Sequence, residues 1–315
     1  MERPSPSNSS SRFFSSLLLL SLTLLGACAT SPREKLILAV LPTANAEALA
    51  AESKEIETFL EQRLGNVGVE IRVPTLYAGV VEALRFDNAH AAFMSAWPAA
   101  LAAKHAGAEV VLAEVREVVI GEEKQEKPYY FSYWVVRKDS PYKSLAELRG
   151  KRAAFPSPLS TSGFVMPMAR LAELGFISPG EKPADAAQFF GQVIFAGGYA
   201  QAWEALKQKQ ADVTVIAGDV PEKLYREVLA ETRILEQQGP IPSHVVVFGK
   251  NLKEPLRSKL KYALLELGRP EHRALMRKFI SGIFVSFEET TTAKHLAPLN
   301  KSLELTHLQF TEALR

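Results

Sequence analysis

Short apolar runs alternate with amphipathic stretches along most of the chain. Lys35–Leu41, Val69–Val73, Ala89–Met94 and Glu109–Val115 have the length and composition of buried strands. Between them, Ala46–Leu64, Tyr77–Phe86 and Trp97–His105 repeat apolar residues at helical spacing, and Pro98 suits a helix start. Repeated strand–helix units predict a mostly parallel sheet. The aromatic-rich strand Tyr129–Arg137 then leads into a second series. In it Arg152–Phe155 precedes a helix at Ser162, Gln192–Phe195 a helix at Tyr199–Gln208, and Asp212–Ile216 a helix at Asp219–Leu229. Thr232–Leu235 closes this series, Ile241-Pro242 with Val245–Phe248 reads as a return strand, and the remainder reads as helical.

The predicted architecture is α/β, a hinged clamshell of two lobes. Residues 35–128 with 245–315 form the first lobe and 129–244 the second, with hinge strands near 129–137 and 241–248. In open α/β sheets, ligands sit beyond the carboxyl ends of the strands, where helix N-termini converge. Four such ends carry polar or aromatic contacts: Tyr77, Ser95–Trp97, Ser160–Gly163 and Gly197–Tyr199.

The third of these is the most informative. After the strand and two prolines come Ser160, Thr161, Ser162 and Gly163, opening a helix. A helix start offers free N–H groups and a positive dipole end, so added hydroxyl donors make it a place to hold an anion. One serine there would be an ordinary N-cap, but three consecutive hydroxyls exceed what a cap needs.

Phe13–Leu25 is apolar, follows a weakly basic start, and is too short to span a bilayer comfortably. It ends in Leu25-Gly26-Ala27-Cys28, which resembles a lipoprotein signal, with Cys28 as the acceptor of lipid. Residues 1–27 are therefore expected to be a signal peptide and 28–34 a tether. The expected product is exported and lipid-anchored on the periplasmic or extracellular side of a membrane. Cys28 is the chain's only cysteine, which excludes an intrachain disulfide. With 37 Lys+Arg against 35 Asp+Glu and no dense basic stripe, nucleic acid is not an expected partner. An anion site must then rely on local dipoles and hydrogen bonds.

Catalytic signatures are weak. The six histidines lack HxxxH or HExxH spacing, so neither a metal nor a cofactor is expected. There is no GxSxG elbow or phosphate-binding GxxxxGK[ST] loop, and Gly197-Gly198 lacks a dinucleotide frame. Ser140-Pro141-Tyr142-Lys143 fits a bare SxxK string, but it lies in a proline-containing turn without companion motifs.

LAVLPTAN (38–45), YAGVVEAL (77–84), VVRKDSPYKSLAELRGKRAAF (135–155), the STSG element with Pro167, IFAGG (194–198) and IPSH (241–244) together resemble a known family. It is the substrate-binding proteins of phosphate/phosphite/phosphonate ABC transporters. The resemblance implies a type II periplasmic-binding-protein fold and no enzymatic activity. It also implies a monomer that hands a small oxyanion to an ABC permease with its ATPase. On this pattern Ser160, Thr161 and Ser162 grip the oxyanion, Tyr77 touches it, and Asp219 matches an acid that helps hold an alkyl-amine. Three positions depart from the pattern. Ala99 stands where a tyrosine is expected, with Trp97 the nearest aromatic; Tyr199 replaces a histidine, and His244 replaces an acid. The oxyanion grip is thus better kept than the amine grip, favouring a compact ligand. Two other readings use the same residues: a sensor subunit partnered with a membrane kinase, and a cleft esterase or transferase with a hydroxyl nucleophile and histidine base.

Overall fold

Two mixed sheets organise the protein. Its structure is a computed structural model that describes Met1 and residues 33–41, 46–74 and 77–309, with backbone alone for 46–51 and 77. The leader and Cys28 lie outside the described residues. The unit beginning at Glu34 holds both sheets.

In the first sheet, β1 (Glu34–Val40) pairs in parallel with β2 (Val67–Arg72) and β3 (Ala91–Met94). Helices α1 (Ala46–Leu64) and α2 (Tyr77–Arg85) make the crossovers that parallel pairing requires. Ile56, Phe59, Leu60 and Leu64 of α1 recur at helical spacing and bury against this sheet with Leu36, Leu38 and Phe93. Helix α3 (Ala96–Ala106) leads to β4 (Glu109–Ile120), whose early part pairs antiparallel with β11 (Val245–Phe248) and β12 (Phe284–Glu289). Its final residues, Arg116–Ile120, form a hairpin with β5 (Glu123–Lys127).

The second sheet has the order β10-β6-β9-β7-β8. Strands β7 (Arg152–Phe155), β8 (Gln192–Phe195) and β9 (Val213–Ala217) are parallel. The long strands β6 (Tyr129–Arg137) and β10 (Thr232–Pro242) run antiparallel to each other along their length. Trp134, Phe155, Phe190 and Phe189 fill the core on one side. Helices α4 (Met166–Glu173), α5 (Tyr199–Lys207) and α6 (Glu222–Glu231) complete this region.

The expected mostly parallel sheet is corrected here. Parallel pairing is confined to three strands in each sheet, because β4, β6, β10 and β11 carry the chain from one sheet to the other and back. A strand that returns enters its sheet reversed. The expected end of β4 at Val115 and the two-piece reading of β10 are corrected as well: both strands continue unbroken into the crossing region. The C-terminal part is not all helix, since β12 lies between α8 (Arg273–Phe279) and α9 (Thr292–Thr306), after α7 (Leu256–Leu267).

Helix α9 touches both regions, packing on α3 and β4 and also on α4 and β10. Its Ser302 hydroxyl points at the Met166 sulfur (3.3 Å), and His295 Nε2 lies 3.0 Å from the Ser243 carbonyl in the crossing segment. The close approach of the crossings depends on Gly218, where a Cβ would stand 2.4 Å from the Val119 carbonyl oxygen.

Candidate functional site

Where the carboxyl ends of both sheets meet, a cavity of about 330 Å³ is lined by Ser95, Arg116, Tyr130, Ser160, Thr161, Ser162, Tyr199, Asp219, Val220, Pro221, His244 and Ile280–Gly282. Its size falls at the small end of ligand pockets. A larger cavity of about 790 Å³ runs past Trp97, Phe164, Phe195 and Gln192 and is lined by none of the three hydroxyls. The convergence of donors singles out the smaller one.

The hydroxyl turn follows β7. Thr161–Val165 opens with one wide π-helical turn that continues into α4. Ser160 Oγ accepts a 3.0 Å bond from the Gly163 amide, so Ser160 does cap the turn. The Ser160 carbonyl accepts from both Phe164 and Val165. The amides of Thr161 and Ser162 stand ahead of the first intrahelical bond, the position from which a helix start reaches an anion. Gly163 does not line the cavity; a Cβ there would come within 2.2 Å of Pro156 Cγ, so its bareness lets the turn fold tightly on the proline.

Thr161 Oγ1 accepts a 2.9 Å bond from the Trp97 amide, joining the start of α3 to the turn. Ser162 Oγ lies between two tyrosines: the Tyr130 hydroxyl donates to it at 3.1 Å, and Tyr199 Oη is 2.7 Å away. Ser95 precedes α3, its side chain makes no capping bond, and the residue lines the cavity.

Trp97 meets the turn through its amide, and the residue lines the larger cavity and a neighbouring one. Ala99 is fully buried in the core beside it. Tyr77 opens α2, but its side chain lies outside the described residues.

The far wall is ionic. Glu114 and Arg116, two apart on β4, project from the same face of the strand. Arg116 Nε and Nη2 both donate to Glu114 Oε2 (2.8 and 2.7 Å), and Nη1 reaches Asp219 Oδ2 at 3.2 Å. Glu114 and Arg116 are 0% and 3% exposed, so this is a desolvated cluster. Burial works to lower the Arg116 pKa, and the charges of Glu114 and Asp219 outweigh it, leaving the guanidinium pKa raised. Burial lifts the Asp219 carboxyl above its ordinary value against the pull of Arg116 and the Tyr130 hydroxyl. Tyr130 is pushed well up by burial, then by Asp219. His244 is pushed well below the usual imidazole value by enclosure, then by Arg116, and stays neutral near pH 7.

Sequence reasoning missed Arg116 and Tyr130. The signal for Arg116 in the sequence was an acid–base pair at i, i+2 within a mostly apolar strand, which places both charges on one face. Among the described residues, no group of three or more His, Cys, Asp and Glu side chains could hold a metal.

A family model described as "ABC transporter, phosphonate, periplasmic substrate-binding protein" matches residues 38–294. The chain is 27% identical over 273 residues to the phosphonates-binding periplasmic protein of Escherichia coli K12, covering 84% of this chain and 76% of that one. It is 31% identical over 167 residues to the phosphate-import protein PhnD of Mycolicibacterium smegmatis, covering 53% and 50%. Among solved structures it is similar to a binding-protein component of an ABC phosphonate transporter from Pseudomonas aeruginosa (TM-score 0.68, 20% identity, 86% of each chain). That likeness shows the fold, a type II periplasmic-binding-protein clamshell.

Proposed function

The chain belongs to the phosphonate-type periplasmic substrate-binding proteins of ABC transporters, and from that premise we propose that its cleft captures a small phosphorus oxyanion for import. Phosphate, phosphite and simple phosphonates fall in this class. The observation that carries the reading is the hydroxyl turn Ser160–Ser162 on the wall of one cavity, tied directly to the start of α3 by the Trp97 amide. The three hydroxyls, the leading amides of the turn, and Ser95 are donors, which is what a tetrahedral oxyanion requires. Each charge-assisted bond nets about 1.5–3 kcal/mol. Four or five sum to about 6–15 kcal/mol, a range that brackets the roughly 8 kcal/mol of a micromolar complex before desolvation and closure are subtracted.

In this reading Tyr199, Asp219 and His244 wall the ligand in, Tyr77 approaches it from α2, and the turn gives up no covalent intermediate: the protein binds and releases without turnover. Residues 35–128 with 245–315 close on 129–244 about the crossing strands, presenting both lobes to a permease and its ATPase. The chain acts as an exported monomer tethered by lipid on Cys28. The test is calorimetric titration of the protein lacking residues 1–28 with phosphate, phosphite, methylphosphonate and sulfate. Stoichiometric heat from a phosphorus oxyanion is expected. No heat from any of them would overturn the assignment.

A further inference from the structure

Among the described residues that line the cavity, Arg116 is the one permanent cation. Two carboxylates hold it: Glu114 Oε2 lies 2.8 and 2.7 Å from Nε and Nη2, and Asp219 Oδ2 lies 3.2 Å from Nη1. One positive charge against two negative ones leaves this buried cluster net negative before any anion arrives. A bound oxyanion would add to that charge where little water screens it.

His244 lines the same cavity, at the joint between β10 and β11. Its backbone is pinned to β4: its carbonyl accepts from the Glu114 amide at 2.8 Å, and the Ser243 hydroxyl donates to the Glu114 carbonyl at 2.6 Å. Its imidazole, by contrast, makes no hydrogen bond to the described residues. Enclosure and then Arg116 hold that ring neutral, with one donor and one acceptor nitrogen. The charged or titratable side chains around it are Arg116 with Glu114 from β4, Asp219 after β9, Tyr130 from β6 and Tyr199 from α5. His295 of α9 meets the adjoining Ser243 carbonyl.

We propose that His244 matches the charge of the cleft to its ligand: it takes one proton from solvent as the oxyanion seats and returns it on release. The inference rests on the reading that the cleft binds a phosphorus oxyanion. One N–H bond forms at the acceptor nitrogen of the ring, and no bond of the ligand changes. The imidazolium then has two donors and no acceptor, which suits a ligand rich in acceptor oxygens. Its charge also brings Glu114, Arg116, Asp219 and His244 together to neutrality. The ligand's own negative charge supplies the drive, because an opposite charge nearby favours the protonated ring. Asp219 is the worse place for the proton. Its carboxylate already accepts from Arg116 and from the Tyr130 hydroxyl, whereas the His244 ring gives up no bond. By linkage, affinity rises as pH falls toward the ordinary imidazole range.

The test is calorimetry of methylphosphonate near pH 7 in two buffers of different ionisation enthalpy, on the unaltered protein and on His244→Gln. The unaltered protein is expected to take up about one proton more per ligand bound than the variant. Any proton gained by methylphosphonate itself is common to both proteins and cancels in the difference. His244→Gln keeps a donor but cannot become charged. It should weaken methylphosphonate by about tenfold or more near pH 6.5, with the gap narrowing toward about pH 8.5. Nitrogen NMR of the unaltered protein with labelled histidine reads the rings without any variant. One imidazole should pass from the neutral to the imidazolium pattern as methylphosphonate saturates the protein. Equal proton uptake by the two proteins, or histidines that all keep their protonation state on saturation, would overturn the proposal and leave the oxyanion reading standing. No heat from methylphosphonate, phosphate or phosphite would overturn that reading, and this inference with it.

Discussion

The amide of Trp97 and the hydroxyl of Thr161 meet at 2.9 Å, and this bond ties a helix following the first sheet to the turn following the second. Thr161 is 2% exposed and Trp97 6%, so the amide has little access to water as a substitute. Thr161→Val should leave a buried donor unsatisfied, at a cost of about 1–3 kcal/mol to the closed form. The expected result is a tenfold or larger loss of ligand affinity and a more open particle in small-angle scattering with ligand present. Thr161→Ser, which keeps the acceptor, should stay within a few-fold of the unaltered protein.

Ser162 tests the hydroxyl turn from inside. Its oxygen lies within hydrogen-bond distance of both Tyr130 and Tyr199, so Ser162→Ala removes a hydroxyl of the proposed grip and one acceptor of the buried Tyr130 hydroxyl, which keeps the Asp219 carboxyl. Affinity measured by calorimetry should fall by about ten- to a hundredfold, with roughly 1–2 kcal/mol lost from folding stability in urea. Tyr199→Phe should cost less in stability, since Tyr199 is partly exposed.

The Glu114–Arg116 pair sets a sharp stability contrast. Arg116→Met alone leaves Glu114 buried without its cation, and urea unfolding should show a loss of about 3–5 kcal/mol. Pairing it with Glu114→Gln should recover most of that loss, because no charge is then stranded in the interior. If the double variant is as unstable as the single one, burial of the charge is not what the pair resolves.

Protonation of His244 gives stability a pH dependence with a definite sign. Its folded pKa is depressed well below the ordinary value near 6.5 by enclosure and by Arg116. As pH falls through the ordinary value, the unfolded chain takes up the proton and the folded one does not. Stability is therefore full above that value and falls as pH drops below it, by up to about 1.4 kcal/mol per pH unit for this one group. His295 is depressed in the same direction by its own burial, so His244 is isolated by difference. His244→Asn should flatten the slope of unfolding free energy between pH 6.5 and 5 by about one proton. An unchanged slope would show that His244 protonates freely in the folded protein.

Much of the fold was legible because the parallel units of both sheets announce themselves by apolar strands followed by periodic helices. The hydroxyl turn was legible for a different reason: Ser160, Thr161 and Ser162 after two prolines exceed what helix capping requires. Arg116 was not, because charged residues at the end of β4 read as the point where a buried strand surfaces. The strand instead continues into the crossing region, where Glu114 neutralises the buried guanidinium. β5 escaped because Glu123–Lys127 is charged or polar throughout and has no apolar face to register. The bond from the Trp97 amide to Thr161 was not legible, because every non-proline residue carries such a group and no side-chain pattern reveals it. The double contact of α9 with both regions depends on tertiary packing that helical periodicity alone does not specify.

The central claim is that the Ser160–Ser162 turn holds a phosphorus oxyanion. Calorimetric titration of methylphosphonate into the unaltered protein and into Ser160→Ala with Thr161→Val tests it most directly. The expected result is one-to-one binding by the unaltered protein and at least a tenfold loss, about 1.4 kcal/mol or more, in the double variant. Equal affinity in the two proteins, both folded by thermal melting, would contradict it.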